Sequence, residues 1–214
     1  MGIIYLPLDF LKIIYYNDVI YYFFYIVRGV FMIIKFASFV IDVDVERTRA
    51  FYERSDIPTM SQQCECINCQ NFDNAILEAT DETLSFLRSF GIDPQKPAES
   101  FNTSGTISSN GIINYNGWYH ICGSILEGPE TIKNVPNPNS PISVSHEYLW
   151  KHEYRPDSNF DFAILPVNDI GLIGLLHDEF PMPVIQLEFR TNLPYVLPSP
   201  SNLEVFDIDN KSGV

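Results

Sequence analysis

Ile112-Ile113-Asn114-Tyr115-Asn116-Gly117-Trp118-Tyr119-His120-Ile121-Cys122-Gly123-Ser124-Ile125 holds the clearest strand signal in the chain. β-Branched and aromatic residues flank Asn116-Gly117, a dipeptide that suits a type I′ turn because both central residues take positive φ. The stretch therefore reads as a β-hairpin, Ile112 to Tyr115 returning as Trp118 to Ile125. Alternate side chains of a strand share a face. Trp118, His120, Cys122 and Ser124 then point one way, and Tyr119, Ile121 and Ile125 the other. Trp118 and Tyr119 beside the turn form a candidate recognition tip, since amphipathic aromatics are enriched at binding hot spots. Tyr119 suits core packing equally well.

Upstream, Phe39-Val40-Ile41-Asp42-Val43-Asp44-Val45 is apolar at odd positions, the alternation of a half-buried strand. Phe72 to Phe90 reads as helix, with Phe72, Ile76, Ala79, Thr83, Phe86 and Phe90 near one stripe and Gly91 and Pro94 closing it. Thr80-Asp81-Glu82-Thr83 is able to cap a second helix inside that span. Downstream, residues 142–154, 160–167, 184–190 and 203–208 are strand-like, bounded by prolines. The expected fold is α+β: an antiparallel sheet with one main helical region next to a cysteine loop, plus a hydrophobic N-terminal extension. The expected divisions are residues 1–31 (extension), 32–128 (α+β cysteine-loop domain), 129–141 (Pro/Asn-rich connector without regular structure) and 142–214 (a β-rich part packed on the same domain).

The formal charge of −14 is unevenly spread. Residues 1–41 hold three basic side chains (Lys12, Arg28, Lys35) and two acidic ones (Asp9, Asp18), so the rest carries 10 basic and 25 acidic groups. No Lys/Arg patch is present to drive counterion release, which disfavours nucleic acid. Such acidity favours a basic protein partner. Val19 to Ile41 is long enough to span a bilayer as a helix, although Arg28 would sit near mid-span at a cost of about 2.5–3.5 kcal/mol. A membrane role would run through residues 19–41; without it a cytoplasmic setting is expected.

Three of the four cysteines form Cys64-Glu65-Cys66-Ile67-Asn68-Cys69. Adjacent members of such a run bridge one another only with strain, and four cysteines are too few for a disulfide scaffold. Short C-x-C and C-x-x-C spacings instead let one loop offer several thiolates to a tetrahedral ion such as zinc. The fourth ligand is missing from the loop. His120 and Cys122, co-facial on the predicted hairpin, are the candidates. C-x-x-C also suits thiol exchange, though without the βαβ pattern of a thioredoxin-like protein. No catalytic constellation is legible elsewhere: His177-Asp178-Glu179 has no nucleophile arranged with it.

Phe51-Tyr52-Glu53-Arg54, Asp56-Ile57-Pro58, the cysteine run leading into Asn71-Phe72, Phe90-Gly91-Ile92-Asp93-Pro94 and Tyr115-Asn116-Gly117-Trp118-Tyr119-His120 together resemble a group of small, uncharacterised bacterial proteins with a C-x-C-x-x-C-x-N-[FY] signature. The resemblance covers residues 45–126. It implies a bacterial, cytoplasmic setting and no particular activity.

The expectation is an acidic, non-enzymatic protein-binding module stabilised by structural zinc at Cys64, Cys66 and Cys69 with His120 or Cys122, of the inhibitor or immunity type. The alternatives are a thiol- or metal-dependent enzyme using the Cys64–Cys69 cluster and a membrane-anchored accessory protein.

Overall fold

The computed structural model describes residues 3–5, 11–16, 19–26, 29–36, 38–103, 107–108, 110–128, 132–136, 144–148, 154–165 and 174–198. Its strands are β1 (Ile3–Tyr5), β2 (Leu11–Tyr16), β3 (Val19–Ile26), β4 (Gly29–Phe36), β5 (Phe39–Asp44), β6 (Glu99–Asn102), β7 (Ile112–Glu127), β8 (Ile132–Pro136), β9 (Val144–Tyr148), β10 (Phe160–Leu165) and β11 (Val184–Pro194). Helices α1 (Val45–Tyr52), α2 (Met60–Gln63), α3 (Ile67–Ala75) and α4 (Asp81–Ser89) lie between β5 and β6. The fold is α+β. The main sheet is antiparallel, in the order β1-β2-β3-β4-β5-β7-β11-β10 with β6 also on β7, and β8 pairs with β9 separately.

The predicted hairpin is one strand. β7 runs unbroken through Asn116 and Gly117, pairing with β11 from Ile112↔Pro194 to Cys122↔Val184. Gly117 serves close approach rather than a turn: a Cβ there would strike the Glu99 carbonyl oxygen of β6 and lie 2.6 Å from Phe189 Cζ. A strand-interior glycine that lets backbone and ring come this near is the other established use of the residue. Trp118 and Tyr119 therefore occupy mid-strand positions, not a tip. Tyr119 is fully buried and donates its hydroxyl to the Pro94 carbonyl at 2.8 Å, while half-buried Trp118 donates from Nε1 to the Gly174 carbonyl at 2.9 Å.

The alternation in β5 is borne out, with Phe39, Ile41 and Val43 buried and Val40, Asp42 and Asp44 half-buried. The helical region breaks in two where Thr80 caps α4, its hydroxyl accepting from the Thr83 N–H at 3.3 Å. Gly91, at φ +81°, ends that region, and a Cβ there would fall 2.5 Å from the Val45 carbonyl and 2.8 Å from the Arg49 nitrogen. A left-handed glycine thus lets the end of α4 press against α1.

The membrane-helix reading of residues 19–41 is replaced by strands β3, β4 and β5. The aromatic and β-branched run that reads as hydrophobic enough to span is also what pleated strands favour. No helix among the described residues is long and apolar enough to cross a membrane. The boundary at Met32 falls inside β4. Within the predicted connector, Ile132–Pro136 is strand, with Pro136 at its end rather than in its interior. Strand-like residues 203–208 lie outside the described residues.

One face of the central sheet forms the main core. Tyr115 and Tyr119 of β7, Leu187 and Phe189 of β11 and Phe162 and Ile164 of β10 are all buried there by register. α3 covers it through Phe72, 5.3 Å from the Tyr115 ring and 5.7 Å from Phe189; α4 covers it through Phe86, 4.8 Å from Phe162. α1 is placed differently. β6 pairs with β7 at Tyr115–Trp118 and β5 at Gly123–Glu127, which leaves the edge of β7 open between them. Tyr52 and Thr48 of α1 fill that gap, with Thr48 Oγ1 accepting the Cys122 N–H at 2.9 Å and donating to the Asp44 carbonyl at 2.9 Å.

Candidate metal centre

Cys64 closes α2 and Cys66 opens α3, so the C-x-C segment is the extended link between two helices. Cys69 lies one turn into α3 and faces inward, while Cys64 and Cys66 are exposed. The three sulfurs lie within 4.8 Å of one another. Thiolates around a tetrahedral zinc at about 2.3 Å sit about 3.8 Å apart, so the triad needs only a small contraction to hold such an ion.

The loop is braced from both sides. Asp73 of α3 accepts from the Thr59 hydroxyl at 2.6 Å, the Met60 N–H at 3.1 Å and the Ser61 N–H at 2.9 Å, locking the start of α2 against α3. Gln70 Nε2 donates to the Glu65 carbonyl at 2.8 Å, and the Tyr115 hydroxyl donates to the Asn68 carbonyl at 3.0 Å. Buried Asn71 fixes the next turn: its Nδ2 donates to the Tyr115 hydroxyl at 3.2 Å and the Pro194 carbonyl at 3.0 Å, and its Oδ1 accepts the Val196 N–H at 2.8 Å. Sequence inspection passed over these supports. Asp73 is fourteen positions from Thr59 and Asn71 more than a hundred from Pro194, so no local motif announces either.

The thiols are unequal. Burial opposes ionisation of Cys66, but the Cys69 N–H, the thiols of Cys64 and Cys69 and the Asn68 N–H outweigh it and hold Cys66 below its ordinary value. Burial, then the Cys66 and Cys64 thiols, push Cys69 up.

Neither proposed fourth ligand belongs to the group. The parity argument holds for the strand but points to the wrong face. Gln186 and Val184 lie opposite His120 and Cys122, while α3 docks through Phe72 onto the face of Tyr115 and Phe189. Odd and even residues of one strand cannot share a face. Cys122 is a buried thiol beneath Thr48, and burial raises its pKa. His120 packs 5.5 Å from the Phe180 ring. No family model, curated protein or solved structure matches the chain.

Proposed function

We propose that this chain is a non-enzymatic metal-binding module that engages another protein, with Cys64, Cys66 and Cys69 holding a zinc ion through three thiolates. The observation that carries this reading is the convergence of three sulfurs on a loop braced by Asp73, Asn71 and Tyr115. Because Cys64 and Cys66 are exposed, the fourth coordination position faces outward and falls to water or to a donor side chain of the partner. The strongly acidic composition favours a partner with a basic surface.

Elemental analysis of protein purified under reducing conditions tests it. One zinc per chain is expected, released on thiol modification and lost in Cys66→Ser and Cys69→Ser. Metal content equal to that of the triple serine variant overturns it.

A second reading rests on a separate feature: Cys66 and Cys69 form C-x-x-C at the start of α3, one sulfur exposed and one buried. As a dithiol reductant, Cys66 thiolate attacks a substrate disulfide, and Cys69 then displaces the substrate to leave a Cys66–Cys69 disulfide. The two protons end on the released substrate thiols. Metal-free protein with a reversible Cys66–Cys69 disulfide, mapped by mass spectrometry, selects this reading over the first.

A further inference from the structure

On the face of the central sheet turned away from α3 lies an open cleft of about 430 Å³, within the range of small-molecule sites and lined almost wholly by polar residues. Register places its side chains. Antiparallel partners share a face, so Phe101 of β6, Asn116 of β7, Arg190 of β11 and Asp161 of β10 form one row across four strands. In the next row Asn114 of β7 stands directly across from Asn192 of β11. The Tyr115 ring, between the two asparagines of β7, points the other way, onto Phe72.

Three asparagines on two neighbouring inner strands run against strand preference, which favours β-branched and aromatic residues. Local preference is broken most often where a protein builds a site. These amides are not used up by the fold. Asn114 Nδ2 donates to Asn192 Oδ1, which leaves Asn114 Oδ1 and Asn192 Nδ2 open to another partner. Half-buried Asn116 and exposed Ser158 and Asn159, also at the cleft, have no side-chain hydrogen bond among the described residues.

The charges of the cleft cancel. Its one cation, Arg190, lies directly across from its one anion, Asp161, and Asp161 is also gripped by Arg155. In a chain of formal charge −14 this local neutrality argues against an ionic ligand of either sign. Amides both donate and accept, as a sugar hydroxyl does. At the end of the row Phe101 is 42 % exposed, its ring edge-on to Trp118 at 6.5 Å, and Trp118 is itself held by the Gly174 carbonyl. An exposed, braced ring beside a row of amides gives the apolar C–H face of a pyranose a platform and its hydroxyls polar partners. We propose that this cleft binds a neutral saccharide, a pyranose ring lying against Phe101 with its hydroxyls bonded to Asn116, Asn114 and Asn192.

The full chain, 15N-labelled at asparagine, is titrated with the methyl glycosides of glucose, galactose, mannose and N-acetylglucosamine and followed through its side-chain amide resonances. At least one glycoside is expected to saturate with a Kd of about 1 mM and to move the Asn114 and Asn116 amides. Glycerol, which has hydroxyls but no ring, is expected to bind at least about tenfold more weakly. Asn116→Thr exchanges an amide for a better strand former, so it should keep or raise the urea midpoint while weakening the glycoside at least about tenfold. Phe101→Ser, at an exposed position, should weaken it about tenfold with the fold retained. No saturation by any of the four, an equal response to glycerol, a urea midpoint lowered by Asn116→Thr, or unchanged affinity in Phe101→Ser each overturns the proposal.

Discussion

Tyr52 Oη donates to the carbonyl of His120 at 3.0 Å and accepts the N–H of the same residue at 3.1 Å, so one side-chain oxygen satisfies both backbone groups that a neighbouring strand would otherwise take. Burial keeps the phenol protonated, its pKa pushed well above the ordinary tyrosine value despite the opposing His120 bond. Tyr52→Phe leaves both groups buried and unpaired. The expected loss is about 3 kcal/mol, at about 1–3 kcal/mol for each orphaned group, read as a lower urea midpoint with unchanged m-value. Thr48→Val, which orphans the Cys122 N–H, should cost about 1–3 kcal/mol by the same argument, and Thr48→Ser much less.

His120 gives the protein a specific acid sensitivity. Burial lowers its pKa to about 4, against the Gly174 carbonyl, which raises it. The folded state therefore keeps the ring neutral while the unfolded chain takes up a proton below about pH 6.5. Protons bound by the unfolded state alone make stability fall as pH drops. The contribution is complete above about pH 6.5 and declines by about 3 kcal/mol as pH falls to 4. Carboxylates titrate over the same range, so the measurement is the stability gap between wild type and His120→Gln, which should narrow by about 2–3 kcal/mol between pH 7 and pH 4.5. Parallel curves would show that His120 is not buried neutral.

Asp73 separates organisation of the loop from ligation. Asp73→Asn keeps the shape but removes the charge that collects the Thr59 hydroxyl and the Met60 and Ser61 N–H groups. Metal affinity should fall by about 10–100-fold, as when residues that orient ligands are altered, with far-UV circular dichroism retained. Unchanged affinity would mean that the sulfurs find the ion without this brace.

Gly117→Ala tests why the glycine is there. The added methyl meets the Glu99 carbonyl and the Phe189 ring, so β6 or the core must shift, at an expected cost of about 1–3 kcal/mol. Hydrogen exchange should show the loss concentrated in residues 99–102. In a type I′ turn the damage would instead be local to residues 115–118.

Much of the sheet was legible because it is written at a period of two. The alternation Phe39 to Val45 names the buried side of β5, and parity along β7 correctly places His120 and Cys122 together. What parity cannot supply is the side on which a helix docks. That depends on how α3 and α4 cross back over Tyr115 and Phe162, which no window of neighbouring residues encodes. Asn116-Gly117 misled for a related reason: its turn preference is local, whereas the Glu99 carbonyl that requires a glycine arrives from a distant strand. α1 was obscure because its decisive residues, Thr48 and Tyr52, act through hydroxyls on a strand edge rather than through an apolar stripe. The sulfur triad was recognisable from spacing alone, but not that the group stops at three sulfurs.

The three hydrogen bonds of Asn71 set an order of events in biosynthesis. Two of them reach Pro194 and Val196, more than a hundred residues later in the chain. A ribosome-bound intermediate that has released all three loop cysteines but not the end of β11 lacks these anchors, and β7 still lacks the partner strand that holds Tyr115 in place. The thiols emerge early and acquire their shared geometry late. A metal held as proposed would therefore be taken up by the finished polypeptide rather than by the nascent one.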